Sequence, residues 1–174
     1  GLGISGQTVG RYVDLLSDLL LLRRLMPWAG NVGKRLTRTP KAYVRDSGIV
    51  HALLGIRTRD DLLGHPVCGP SWEGMVLEAL IAQARSHPCF FYRTSAGAEI
   101  DLVVEVARAR TLAVEVKRTS APKASRGFRT AVEDIGASKA AVIHSGTERF
   151  SLGAGVEAVP VSTAAAWLEE GMRG

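Results

Sequence analysis

Two runs in the middle of the chain alternate strictly between apolar and polar positions. In 99–106, Ile100, Leu102, Val104 and Val106 fall on one face, and Glu99, Asp101, Val103 and Glu105 on the other. In 111–118, Leu112, Val114 and Val116 share one face, and Thr111, Ala113, Glu115 and Lys117 the other. Period-two alternation of β-branched residues predicts two strands. Asp101 can share a face with Glu115 and Lys117 only if the connecting loop has an odd number of residues. Three loop residues set Asp101 opposite Lys117 and five set it opposite Glu115, unless a bulge intervenes. Val103 and Ala113 on the second face predict that this face is also partly covered. Carboxylates there require a partner, because buried charge is costly when unpaired.

The other elements follow from the same reading. Val9, Tyr12, Val13, Leu16 and Leu20 lie near helical spacing, which predicts a helix over 5–18 capped by Ser5. Residues 20–27 read as a strand and 34–44 as its partner, with turn chemistry at 30–33. A short helix over 46–54 ends at Gly55, and 60–63 form one turn. Over 71–86, Val76, Leu77, Leu80, Ile81 and Ala84 make one helical stripe, between Ser71 as cap and Pro88. Glu73 falls at the centre of that stripe, and Glu78 falls off it, toward solvent. A strand over 89–93 precedes the hairpin. A crossover helix over 125–135 leads to a strand over 139–144, which predicts a parallel addition to the sheet. A strand over 156–161 and a helix over 162–170 close the chain.

Composition narrows the class. The 174 residues suffice for one good core, and 46% hydrophobic residues is a globular value. No apolar run approaches a membrane span; the leucines at 19–22 are cut short by Arg23 and Arg24. The chain begins Gly-Leu-Gly, which reads as an excised fragment with an upstream part missing. Two cysteines, Cys68 and Cys89, make neither a disulfide framework nor a zinc pattern, even with His65 and His87 nearby, so the expected compartment is a reducing cytosol. Gly30, Gly33 and Lys34 lack the spacing and following hydroxyl of a phosphate loop, so no ATP site is expected here.

The net charge of +5 permits a nucleic-acid partner without requiring one. A helix followed by a basic ribbon resembles the end of a winged helix. DNA contact would then run through Gln7, Arg11, Lys34, Arg35 and Arg38, with Arg93 and Arg118 at the hairpin. The alternative is a structural linker with a solvated ribbon. The expected division is a winged-helix-like appendage or linker over 1–44 and a second domain over 45–174.

Asp101 followed by Glu115-Val116-Lys117 on the next strand resembles the Asp…Glu-x-Lys core of the PD-(D/E)xK, restriction-endonuclease-like superfamily. A wider ordered set, comprising 41–46, Gly48, 53–55, 72–74, 92–94, 97–101 and 115–117, resembles a C-terminal domain of unknown function that follows an AAA+ ATPase module in prokaryotic ATPases. The resemblance implies an α/β fold, a restriction-endonuclease-like central mixed sheet flanked by helices. It implies Mg²⁺ held by Asp101, Glu115, the Val116 carbonyl and Glu73, with Lys117 orienting water or stabilising charge in phosphodiester hydrolysis of DNA. Glu73 equally fits a carboxylate in a first helical turn, favoured by the helix dipole. Glu99 and Glu105 share the parity of Asp101 but lie toward the strand ends. Such a geometry does not by itself imply activity. The alternative function is a catalytically inactive protein-interaction or DNA-binding module serving the ATPase.

Overall fold

A computed structural model describes residues 3–30, 36–37, 39–107 and 110–173. Among them, eight strands form one mixed sheet. In chain order they are β1 (Leu22–Pro27), β2 (Lys41–Val44), β3 (Cys89–Arg93), β4 (Glu99–Ala107), β5 (Arg110–Lys117), β6 (Lys139–His144), β7 (Phe150–Gly153) and β8 (Val156–Pro160). Their order across the sheet is β2-β1-β3-β4-β5-β6-β8-β7. β3, β4 and β5 are antiparallel neighbours, whereas β5, β6 and β8 run parallel. The helices are α1 (Gly6–Asp18), α2 (Ser47–Leu53), α3 (Arg59–Gly64), α4 (Cys68–Ala84), α5 (Arg126–Ile135) and α6 (Ala164–Arg173). This is the expected α/β architecture, with helices on both faces.

The two faces hold two cores. On one, α4 and α6 bring Val76, Leu77, Leu80, Trp167 and Leu168 against Leu102, Val104, Leu112 and Val114. On the other, α5 seats Phe128 and Ala131 on Val103, Ala113, Ala140 and Val142. Strands covered on both sides read as nearly continuous apolar runs, as 140–143 does. The parallel step from β5 to β6 passes through α5, capped by Ser125, whose Oγ accepts from Phe128 N at 3.0 Å.

Several expectations change in the structure. β1 pairs with β2 and runs parallel with β3, so the ribbon forms one edge of the main sheet. Among the described residues of the expected second arm, Lys41–Val44 form strand and Leu36 bridges to Thr94. Helix α4 begins three residues before Ser71, since Pro70 is tolerated in a first turn, and the Ser71 hydroxyl bonds His51 Nε2 at 2.7 Å. Glu78 is not solvated. The β1–β2 ribbon lies over its flank of α4, and both Arg23 and Arg45 bond its carboxylate, each at 3.0 Å. The short edge strand β7 has no counterpart in the sequence reading.

Candidate functional site

The strongest local feature is a register shift between β3 and β4. Phe90 pairs with Val103 but Tyr92 pairs with Ile100, so Asp101 and Leu102 together oppose Phe91. One extra residue in one strand is a β-bulge, and it re-aims the side chains beside it. Here it breaks the alternation on which the expected faces rested. Ile100 belongs to the core beneath α5, while Leu102 belongs to the core beneath α4. Asp101 is turned to the α4 side with Leu102, rather than sharing a side with Val103.

On that side Asp101 meets β2 and α4. Lys41 Nζ lies 3.2 Å from Asp101 Oδ1, 2.8 Å from Glu99 Oε1 and 3.7 Å from Glu73 Oε1. The same ammonium stands 5.5 Å from the centroid of the Phe91 ring. Tyr43, two residues along β2, donates its hydroxyl to Glu73 Oε1 at 2.7 Å. Arg93 pairs with the other oxygen of Glu99 at 3.0 Å. The second oxygen of Asp101 accepts the Val116 N–H at 3.0 Å, taking the place of a ladder carbonyl.

The electrostatics follow from this crowding. Burial, then the neighbouring Glu73 charge, push the Asp101 carboxyl up to about 6, against the opposing pull of Lys41 and the Val116 N–H. Burial alone would lower Lys41. Asp101, Glu99 and Glu73 together outweigh it and hold Lys41 above the ordinary lysine value. Burial and Glu73 likewise raise the Tyr43 hydroxyl, which stays protonated as a donor.

Glu115 and Lys117 occupy the other side. Lys117 Nζ is 3.2 Å from Glu115 Oε1, and Glu115 Oε2 accepts from Ser125 N at 3.1 Å. That bond ties Glu115 to the start of α5. The register Leu102–Val114 brings Asp101 level with Glu115, but the bulge turns the two carboxylates toward opposite layers.

The residues therefore do not fit one shared ion in this arrangement. A lysine ammonium already stands among Glu73, Glu99 and Asp101, and Glu115 belongs to a separate ion pair. Among the described residues, no group of three or more His, Cys, Asp or Glu is arranged to hold a metal ion. Lys41 is the group sequence reasoning missed. Its signal was spacing: Lys41 and Tyr43 alternate on one short strand, and both reach the acidic group.

The expected nucleic-acid contacts are dispersed. Gln7 and Arg11 are exposed on α1. Arg93 and Arg118 are exposed at the ends of β3 and β5, and Arg93 is engaged with Glu99. Lys34, Arg35 and Arg38 lie outside the described residues. Among the described residues, no helix is long and apolar enough to cross a membrane.

A different surface is more conspicuous. None of the residues of α1 is buried, and the helix rests chiefly on β1. Val9, Tyr12 and Leu15 are exposed on it, and Leu19 and Leu20 just past its end. Leu20 also holds φ at 60°, a left-handed conformation unfavourable for a bulky residue.

Comparison with known proteins finds a match over residues 68–164 to the family described as "Domain of unknown function (DUF4143)". A second match, "Domain of unknown function (DUF8612)", covers residues 1–60. Among curated relatives, an uncharacterized protein of Mycobacterium tuberculosis, Rv2008c, is 45% identical over 159 residues. Its counterpart in Mycobacterium bovis, the uncharacterized protein Mb2031c, matches at the same 45%. Each alignment covers 91% of this chain and 36% of the relative, so the chain spans little more than a third of their length. No solved structure matches the chain.

Proposed function

The chain belongs to the family described as "Domain of unknown function (DUF4143)", and from that premise we propose that it is a protein-interaction module that docks on the remainder of a longer polypeptide. The observation that carries this reading is the unpartnered apolar face of α1. Tyr12 is 57% exposed and Leu15 52% on a helix with no buried residue, and its C-cap Leu19 is 59% exposed. Exposed apolar residues gathered on one helix are the kind of surface that serves as an interaction site. The occupant is proposed to be a further module of the same polypeptide, because the relatives carry much more chain than the matched segment. The resemblance noted for the sequence makes that module an AAA+ ATPase. In this reading the Lys41 cluster is structural, pinning β2 and α4 to the bulge in β4.

The test is amide hydrogen exchange across 6–21 in this chain alone and in the full-length gene product. Protection is expected only in the full-length protein, and a Tyr12→Glu, Leu15→Glu pair should abolish it. Equal exchange in both proteins would remove the reading.

A second reading, Mg²⁺-dependent phosphodiester hydrolysis of DNA, is favoured by one observation: a buried carboxyl at Asp101 raised to about 6, one strand away from Glu115 and Lys117. Strongly perturbed carboxyls cluster at functional sites, although structural ion pairs also produce them. This reading needs Lys41 to leave the acidic group and the bulge in β4 to rearrange so that Asp101 and Glu115 share one side. A plasmid-nicking assay with Mg²⁺ and Mn²⁺ decides it: nicking by the wild type, lost in Asp101→Ala and Glu115→Ala, supports hydrolysis, and no nicking removes it.

A further inference from the structure

The sheet has two edges, and they are finished differently. At the β7 edge the main chain is already engaged. Arg129 of α5 donates to Leu152 O at 2.8 Å and to Gly153 O at 3.3 Å, and Ser151 Oγ accepts from Gly153 N at 3.1 Å. A register shift between Ser151 and Gly153 also interrupts the strand there. Natural sheets close their edges with such devices, because an open edge is a template for another strand.

The β2 edge has none of them. Its register with β1 runs unbroken from Lys41 to Val44. Its one charged residue, Lys41, is turned inward to Asp101. The Arg45 N–H bonds Leu21 O at 3.0 Å, which fixes the phase of the ladder. Hydrogen-bonded and non-hydrogen-bonded residues alternate in an antiparallel pair. Lys41 and Tyr43 therefore bond β1, and the N–H and C=O of Ala42 and of Val44 point away from the sheet. Among the described residues, no side chain or loop bonds these groups. Ala42 is exposed and Val44 half-buried.

Recesses flank this edge on both faces. Tyr43 reaches Glu73 on the α4 side. There Tyr43, Val44, Val50, Val67, Pro70 and Gly74 line a cavity of about 130 Å³, with α2 as one wall. An apolar cavity of about 150 Å³ holds benzene, so this one suits a branched aliphatic side chain. Arg24 and Ala42, paired across the strands, face the other way, where Arg24 bonds Asp14 of α1. With Gly10, Val13 and Pro40 they line a recess of about 320 Å³ between α1 and the ribbon.

We propose that β2 accepts an added strand. An extended segment from the remainder of the same polypeptide pairs with Ala42 and Val44 and sets a branched aliphatic side chain in the cavity beside Tyr43. Strand addition rests on the docking reading and gives the form in which the remainder arrives. Only extended backbone offers donors and acceptors at the spacing of Ala42 and Val44. Cross-strand neighbours point to the same face, so the residue beside Tyr43 enters the α4-side cavity and its neighbours in sequence turn to the recess beside α1. Main-chain pairing supplies affinity, and pockets for alternate side chains supply selectivity. Because α1 borders the second recess, the added strand and the docking face of α1 adjoin. The relatives supply the chain, since the matched segment is 36% of their length.

The experiment is residue-resolved amide exchange on this chain and on the full-length gene product. In this chain the Val44 N–H should exchange close to the unprotected rate, and in the full-length protein about a hundredfold or more slower. Ala42→Pro removes an outward N–H and no bond to β1, a substitution that edge strands tolerate. In the full-length protein it should return Val44 to near the unprotected rate while 6–21 stays protected. Val50→Gln puts an amide in the cavity, and it should speed Val44 exchange about tenfold even if the proline variant fails to fold. Equal Val44 exchange in both proteins, with 6–21 protected only in the full-length one, overturns strand addition and leaves docking through α1 intact. Equal exchange at both places removes both. Val44 slowed without 6–21 supports strand addition and moves docking off α1. Slow Val44 exchange untouched by either folded variant also overturns the added strand, since a cover that forms no ladder would act in that way.

Discussion

Lys41 and Asp101, 60 positions apart in sequence, meet at 3.2 Å where the bulge in β4 turns Asp101 toward β2. Their side chains are only 18% and 14% exposed. The pair joins an edge strand to the centre of the sheet. Removing one partner of such a pair leaves a buried charge without compensation, at a cost of about 3–5 kcal/mol. Lys41→Met should therefore lose about 3 kcal/mol of stability in urea unfolding. Asp101→Asn in the same chain should recover part of that loss, because the two sites are coupled. Strict additivity of the two substitutions would show that the contact carries no energy.

The raised Asp101 carboxyl sets a pH dependence of definite sign. Its folded value of about 6 lies above the ordinary carboxyl value of 3.8, so the native state holds the proton more tightly than the unfolded chain. This contribution is fully present below about pH 4 and is lost as pH rises through about 6. A rise from 3.8 to about 6 corresponds to about 3 kcal/mol. Asp101→Asn keeps an acceptor for the Val116 N–H but cannot titrate. The stability of the variant relative to wild type should thus improve by about 3 kcal/mol between pH 4 and pH 7. Urea midpoints at intervals across that range give the measurement; a flat difference would mean that Asp101 titrates near its ordinary value.

What the sequence discloses here depends on how local the cause is. The Ser5, Asp46 and Ser125 caps are local, and the helices begin beside them. The strand over 139–144 has β-branched apolar character and is found at those bounds. Strand β7 was illegible because it is short and mostly exposed, so no apolar alternation marks it. The bulge was illegible for a different reason. Strict alternation through Ile100, Leu102 and Val104 says nothing of an extra residue, which is set by pairing with β3. Its cost to the reading was large, since it moved Asp101 to the other layer from Glu115. Glu73 was legible as an anomaly on an apolar stripe. Its partners, Lys41 and Tyr43, come from a strand 30 residues earlier and are fixed only by the fold.

The apolar face of α1 separates stability from association. Tyr12 and Leu15 are exposed, so Tyr12→Ser and Leu15→Gln should each change the stability of this chain by no more than about 0.5 kcal/mol. Leu25, 3% exposed in β1 and part of the core beneath α4, should cost about 2–5 kcal/mol when cut to alanine. Thermal or urea unfolding of the three variants checks this. A large loss at Tyr12 or Leu15 would mean that the helix face is part of this domain's own packing.

Two helical glycines should respond to alanine with opposite signs. Gly127 sits in the first turn of α5, where an added Cβ would stand 2.5 Å from the backbone carbonyl oxygen of Gly97. That carbonyl belongs to the tight turn between β3 and β4, closed by Thr94 N to Ala98 O at 2.9 Å, with Gly97 at φ 85°. Backbone cannot swing aside as a side-chain tip can. Gly127→Ala must therefore lift the start of α5 from the turn, loosening the Ser125–Glu115 bond, at about 1–3 kcal/mol. Gly10 lies in the middle of α1 with nothing within 4 Å of the same added atom. Gly10→Ala removes conformational freedom from the unfolded chain alone and should stabilise α1 by about 0.5–1 kcal/mol. Hydrogen exchange of 6–18 reads the second effect and global urea unfolding the first. If Gly127→Ala were neutral, the contact between α5 and the β3–β4 turn would be slack, and Glu115 would not be held by the helix it now caps.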